Sequence, residues 1–218
     1  MGFEPNLGRN TILTPAQYTA LLCEAYSAIK EASPDTLVIS GAPFPSSWWG
    51  DCTPAGCDDL LWINGLAEAG AADCLGYVGV HYTQGATSPS ERSGHPMESG
   101  AYPYFLYYWP MVESYSDAFG GARPLAFTQF GYLSSEGYDD ELPEGFTWAA
   151  ETTAADQAAW TAEAVRLSIE DDRIGMLVIY NWDYTWWQGG NVSAGWALMR
   201  PDGTCPTCDA LRQLLSEQ

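Results

Sequence analysis

Two hydrophobic rhythms alternate along the chain. Tyr18, Leu21, Leu22, Ala25 and Ile29 recur at the spacing of one helical face. Thr14-Pro15 precedes them as an N-cap with a first-turn proline, and Ser33-Pro34 stops the run. Residues 36–42 (TLVISGA) form an unbroken β-rich apolar stretch, as in a strand buried on both faces. The same alternation predicts a helix over 58–69, a strand over 77–82 (YVGVHY) and an aromatic-rich helix over 102–119. It continues with a strand over 124–130, a helix over 153–170, a strand over 176–182 (MLVIYNW) and a short helix over 208–216. Strands alternating with helices over the whole length imply a parallel α/β arrangement, organised as a single domain over 1–218.

Composition narrows the classes of function. Hydrophobic residues make up 46% of 218, enough for a sizeable core and too many for a disordered chain. The formal charge is −20 and Lys30 is the only lysine, a field that repels polyphosphates and argues against nucleic acid as a partner. Such acidity suits a secreted protein or one selected for high salt. Ten tryptophans and thirteen tyrosines supply flat apolar faces with polar tips, which suit sugar rings as well as cores. No apolar run approaches the ~18 residues of a membrane span, and no signal peptide is visible, so a secreted protein would have its leader outside this chain.

Six cysteines separate into two kinds. Cys52 and Cys57 bracket a Gly/Pro-rich tetrapeptide, and Cys205 and Cys208 bracket Pro-Thr. Local disulfides in an oxidising compartment are the preferred expectation; a zinc site shared by the two pairs and a redox Cys-Pro-Thr-Cys are weaker ones. Cys23, in a helical pattern, and Cys74, before a strand, are expected as buried thiols.

Polar and aromatic residues fall at the C-terminal ends of the apolar runs: Glu4, His81-Tyr82, Gln129 and Asn181-Trp182. Singly, Glu4 is expected as an exposed carboxylate, His81 as a satisfied histidine and Trp182 as a core residue. Jointly, one barrel rim accounts for all of them, because the C-terminal rim of a parallel barrel is where active sites sit.

These segments resemble a clan A, cellulase-like retaining glycoside hydrolase, in its C-terminal part. Phe3-Glu4-Pro5-Asn6 resembles the end of the fourth barrel strand, Val80-His81-Tyr82 the sixth, Phe127-Thr128-Gln129-Phe130-Gly131 the seventh and Ile179-Tyr180-Asn181-Trp182 the eighth. The resemblance implies a truncated (β/α)8 TIM barrel of about five βα units, with Glu4 as acid/base and Gln129 at the nucleophile position. It implies carbohydrate as the partner, held by Asn6, His81, Tyr82, Asn181, Trp182 and Trp186, with no cofactor and no metal. Of Trp48, Trp49, Trp182, Trp186 and Trp187, at least two are expected to line an accessible cleft.

Three departures change that expectation. The asparagine that usually precedes the acid/base is Phe3, the nucleophile is an amide, and Met1 falls inside what resembles strand four. A retaining site needs two carboxyls about 5–5.5 Å apart, and an amide is a poor nucleophile with no charge to stabilise an oxocarbenium ion. Hydrolysis is therefore expected to be weak or absent, the alternative being a non-catalytic carbohydrate-binding or structural half-barrel. Missing strands leave open sheet edges, which a homodimer or a complex with a separate N-terminal half would cover. A metal-dependent hydrolase is disfavoured, since His81 and His95 are the only histidines and show no ligand spacing.

Overall fold

The structure is a computed structural model that describes residues 2–11, 13–98, 104–184 and 186–217. Among the described residues three strands form one parallel sheet in the order β1-β2-β3: β1 (Val78–Tyr82), β2 (Leu125–Phe130) and β3 (Ile174–Ile179). Five α-helices among the described residues accompany them: α1 (Pro15–Ala32), α2 (Asp59–Glu68), α3 (Tyr108–Ala118), α4 (Ala154–Glu170) and α5 (Pro206–Ser216). Among the described residues no helix is long and apolar enough to cross a membrane. The predicted helix over 102–119 begins as a short 3-10 turn at Tyr104–Leu106 before α3, while its first two positions lie outside the described residues.

The chain divides into two units. The first comprises Met1–His81, Met111–Thr128 and Asp172–Leu177; the second comprises Tyr82–Pro110, Gln129–Asp171 and Val178–Gln218. In the first unit, α1 starts where Thr14 and Gln17 close a reciprocal capping box. Its buried face carries Tyr18 and Leu22, and the Tyr18 ring meets Trp62 of α2 edge-on with centroids 5.5 Å apart. Leu22, Ile63, Leu66, Val78, Val80, Leu125 and Phe127 complete this core. In the second unit, α4 starts from a Thr153–Asp156 capping box and packs on α5. Its core is aromatic: Tyr82 stacks on Phe130 at 5.5 Å, with Tyr108, Tyr132 and Trp160 around them.

Two predicted strands are not strands. Residues 36–42 contribute a single parallel bridge, Ile39 to Tyr77. The reason lies in the side chains that take the ladder's place. Gly79 N–H donates to the Ser40 hydroxyl at 2.8 Å instead of to a backbone carbonyl, and Gly41 N–H donates to the Tyr18 hydroxyl at 2.7 Å. Gly79 must stay glycine here, since a Cβ would collide with the Ser40 carbonyl. Around Glu4 the chain turns rather than extends: Leu7 N–H closes on the Glu4 carbonyl at 3.1 Å, and Leu7 forms one antiparallel bridge to Gly56.

The last strand is shifted from its predicted span, covering 174–179 rather than 176–182. Asn181 leaves the sheet because its N–H and carbonyl pair with Trp196 O at 3.2 Å and Leu198 N at 2.9 Å.

All six cysteines are bridged: Cys23–Cys74, Cys52–Cys57 and Cys205–Cys208. The two local pairs are as expected. The expectation of buried thiols at Cys23 and Cys74 is corrected, because α1 and the 3-10 turn Ala71–Cys74 bring their Cα atoms to 4.8 Å. Bridged sulfurs carry no thiolate, so the zinc alternative is set aside.

Candidate functional site

In the first unit the Glu4 carboxyl is almost fully buried. Its backbone sits in the left-handed region at φ +42°, a conformation that is costly for a side-chain-bearing residue and is tolerated where surrounding contacts impose it. Arg9 donates to Glu4 Oε2 at 3.3 Å, while His81 Nδ1 lies 3.5 Å from Oε1. Burial pushes the Glu4 carboxyl above the ordinary carboxylate range, and Arg9 draws it part of the way back. Burial lowers His81 to about 4, so its imidazole is neutral at pH 7 and leaves the Glu4 proton affinity high. A desolvated carboxyl of raised proton affinity is what a general acid requires.

Asn6 stands beside this corner but has its amide engaged elsewhere. Its Oδ1 accepts from Phe44 N at 2.7 Å, and its Nδ2 donates to Phe44 O at 2.8 Å and to Cys57 O at 2.9 Å. It splints the loop after residues 36–42 rather than presenting an amide to a ligand. A separate cavity of about 430 Å³ is lined by Pro5, Asn6, Thr14, Cys52, Cys57 and Trp62 among others, and Glu4 is not part of its wall.

In the second unit, Gln129 is half-buried at the penultimate position of β2. Tyr82 is fully buried, and its hydroxyl donates to Leu106 O at 3.2 Å. Its place is the aromatic core. Asn181 organises the loop that follows β3: its Oδ1 accepts from Tyr184 N at 3.0 Å and its Nδ2 donates to Ser193 O at 2.9 Å. Met199 N–H on Trp182 O, at 2.9 Å, pins the same loop. On it Trp182 and Trp186 are 59% and 62% exposed, whereas Trp187 is buried at 7% against Tyr138, with ring centroids 5.1 Å apart. Trp48, on a loop of the first unit, is also exposed.

Three site residues escape a reading of the sequence. Arg9 tunes Glu4, Phe44 packs edge-on to His81 with centroids 6.0 Å apart, and Tyr184 is exposed on the loop that carries Trp182. Arg9 had one legible signal: a cation five residues from a carboxylate in a chain with only eight lysines and arginines. Among the described residues no cluster of His, Cys, Asp and Glu is arranged to hold a metal.

No protein-family model matches the chain, and no curated protein does. Solved structures do. The chain is similar to a GH128 (subgroup II) endo-β-1,3-glucanase from Sorangium cellulosum (21% identity, TM-score 0.59, 95% of this chain and 66% of that one). It is similar to a GH128 (subgroup VI) exo-β-1,3-glucanase from Aureobasidium namibiae (15% identity, TM-score 0.54, 93% of this chain and 61% of that one). A family 39 glycoside hydrolase from the gut symbiont Bacteroides cellulosilyticus matches at 20% identity and TM-score 0.60, over 98% of this chain and 39% of its own. The chain thus spans less than two thirds of the length of these neighbours. At such identities the similarity shows the fold: a mixed α/β chain whose structural neighbours are glycoside hydrolases.

Proposed function

We propose that this chain corresponds to the C-terminal portion, from the position of strand four to strand eight, of a (β/α)8 glycoside-hydrolase-like protein whose ligand is a β-linked glucan, with only isolated bridges kept near Glu4 and over residues 36–42. Glu4 is the acid/base residue and Gln129 occupies the nucleophile position, with His81, Trp182 and Trp186 contacting sugar. Asn6, Tyr82 and Asn181 hold the segments that present those groups. The observation that carries the reading is the Glu4 corner, where a buried carboxyl of raised pKa stands beside a neutral histidine at the end of β1. Its support is the order of the motifs, together with neighbours whose names include β-1,3-glucanases.

Gln129 makes hydrolysis weak or absent while keeping shape and hydrogen-bonding capacity. A purely carbohydrate-binding role is the second reading, favoured by that same amide. Hydrolysis of laminari-oligosaccharides by the wild type and by Gln129→Glu separates the two. The enzyme-derived reading expects marginal turnover that rises at least about tenfold in the variant; unchanged inactivity alongside sugar binding would favour the binding role. Three disulfides fit an oxidising, extracellular setting. At the edge strand β3, Val178 remains 46% exposed, and a second copy or an N-terminal half would cover such a surface. Light scattering at micromolar concentration reads a homodimer as twice the chain mass of 23.8 kDa.

A further inference from the structure

The loop that carries Trp48 is unusually well secured for a segment that leaves a tryptophan in water. Ser46 N–H donates to Asp59 Oδ1 at 3.1 Å, and the opposite oxygen of that carboxylate accepts from the Tyr115 hydroxyl at 2.7 Å. Asp58, at the N-cap of α2, does not cap its own helix; its carboxylate accepts from Trp49 N at 3.1 Å and Gly50 N at 2.7 Å. Asn6 grips Phe44 at the loop's start through both its N–H and its carbonyl, and the Cys52–Cys57 bridge follows its end. Three buried side chains thus fix the backbone on either side of Trp48.

The indole itself is 59% exposed. Its ring leans on Trp49 with centroids 5.1 Å apart and meets Phe44 edge-on at 5.9 Å. Phe44 in turn meets the His81 ring at 6.0 Å, and His81 touches Glu4. A continuous aromatic path therefore runs from the buried carboxyl to an open indole face, all within the first unit. Flexible loops fold their aromatic side chains inward when they can; a loop held this firmly presents its indole ready to bind, with little ordering cost left for a ligand to meet.

We propose that Trp48 is a sugar-stacking platform, adjoining the Glu4 corner and additional to the tryptophans that follow β3, and that its ligand is a neutral pyranose ring of a β-linked glucan. The flat apolar faces of such a ring match an indole. Neutrality follows from the protein's own field: a net charge of −20 disfavours anionic polysaccharide, and Arg9, the cation of the Glu4 corner, is already paired with Glu4. This inference rests on the glucan-binding reading above.

The test is calorimetric titration of laminaripentaose and laminaribiose into the wild type, Trp48→Ala and Trp48→Phe. Because the side chain is largely exposed, both variants should keep the wild-type thermal midpoint. Trp48→Ala should weaken pentasaccharide binding about three- to tenfold and the disaccharide less, while Trp48→Phe, which keeps a ring, should retain most of the affinity. Wild-type binding unchanged by Trp48→Ala, or lost equally in Trp48→Phe, overturns the platform and leaves the glucan reading standing. Absence of binding to either sugar by the wild type overturns both.

Discussion

Under the proposed reading, the Glu4 corner and the loop that follows β3 present their side chains in opposite ways. At Glu4 the group is withdrawn from water and set on a strained backbone, and burial raises its proton affinity while Arg9 draws it part of the way back. On the loop that follows β3, Trp182 and Trp186 are pushed into water, and polar side chains hold the loop itself: Asn181 accepts from the Tyr184 backbone N–H, while Asn191 donates to the Tyr184 hydroxyl at 3.3 Å. Proton transfer is tuned by desolvation, so its residue must be buried. Stacking needs an open face, so its residues must not be. The two regions should therefore respond to perturbation in opposite ways, the first through stability and pH, the second through binding alone.

The largest effect is expected where the first region is tied together across the longest stretch of sequence. Cys23 and Cys74 are separated by 51 residues, and the loop-entropy model gives about 4 kcal/mol for a closure of that size. The Cys23→Ala/Cys74→Ala double variant should lower the chemical-denaturation midpoint accordingly. A shift of less than about 1 kcal/mol would mean that the region is held by packing rather than by the bridge.

His81 should give a smaller, pH-dependent effect. Its folded pKa of about 4 lies below the ordinary 6.5, so the unfolded chain binds the proton first. Stability is then complete above pH 6.5 and falls as the pH drops towards 4, by up to roughly 3 kcal/mol. Glu4 acts with the opposite sign: its raised folded pKa means that its protonation favours the native state as the pH falls. Denaturation midpoints between pH 7 and 4.5 should decline for the wild type and flatten for His81→Asn; parallel curves would remove His81 from this role.

The smallest stability effect belongs to the second region. Trp186→Ala should change unfolding free energy by no more than about 0.5 kcal/mol, since the side chain is mostly solvated. Affinity for laminari-oligosaccharides should still drop about three- to tenfold. A marked loss of stability with no change in binding would reverse the comparison between the two regions.

Much of the scaffold was legible because its causes are local. Thr14-Pro15 announces α1 by capping chemistry that acts within one turn, and the alternation marks the helix over 153–170 that α4 fills. The segments of β1 and β2 were readable as apolar runs, to within a residue of their observed starts. Residues 36–42 looked equally strand-like and failed, because Ser40 and Tyr18 side chains accept the bonds that a ladder would have used. Asn6 and Tyr82 look like site residues in the one-dimensional string, yet their polar atoms are taken up by Phe44, Cys57 and Leu106. Nothing local distinguishes a polar group facing a ligand from one facing a distant carbonyl.

By itself the sequence determined the order of the elements, the cap of α1, the acidic field and an amide rather than a carboxylate at residue 129, since each depends on residue identity or on neighbours a few positions away. Only the tertiary structure decided that Cys23 meets Cys74, that Glu4 is buried while its proton affinity rises, and that Trp186 stands in water while Trp187, one residue on, packs against Tyr138. Those outcomes are set by contacts between residues far apart in the chain, and burial is a property of the assembled neighbours rather than of the residue itself.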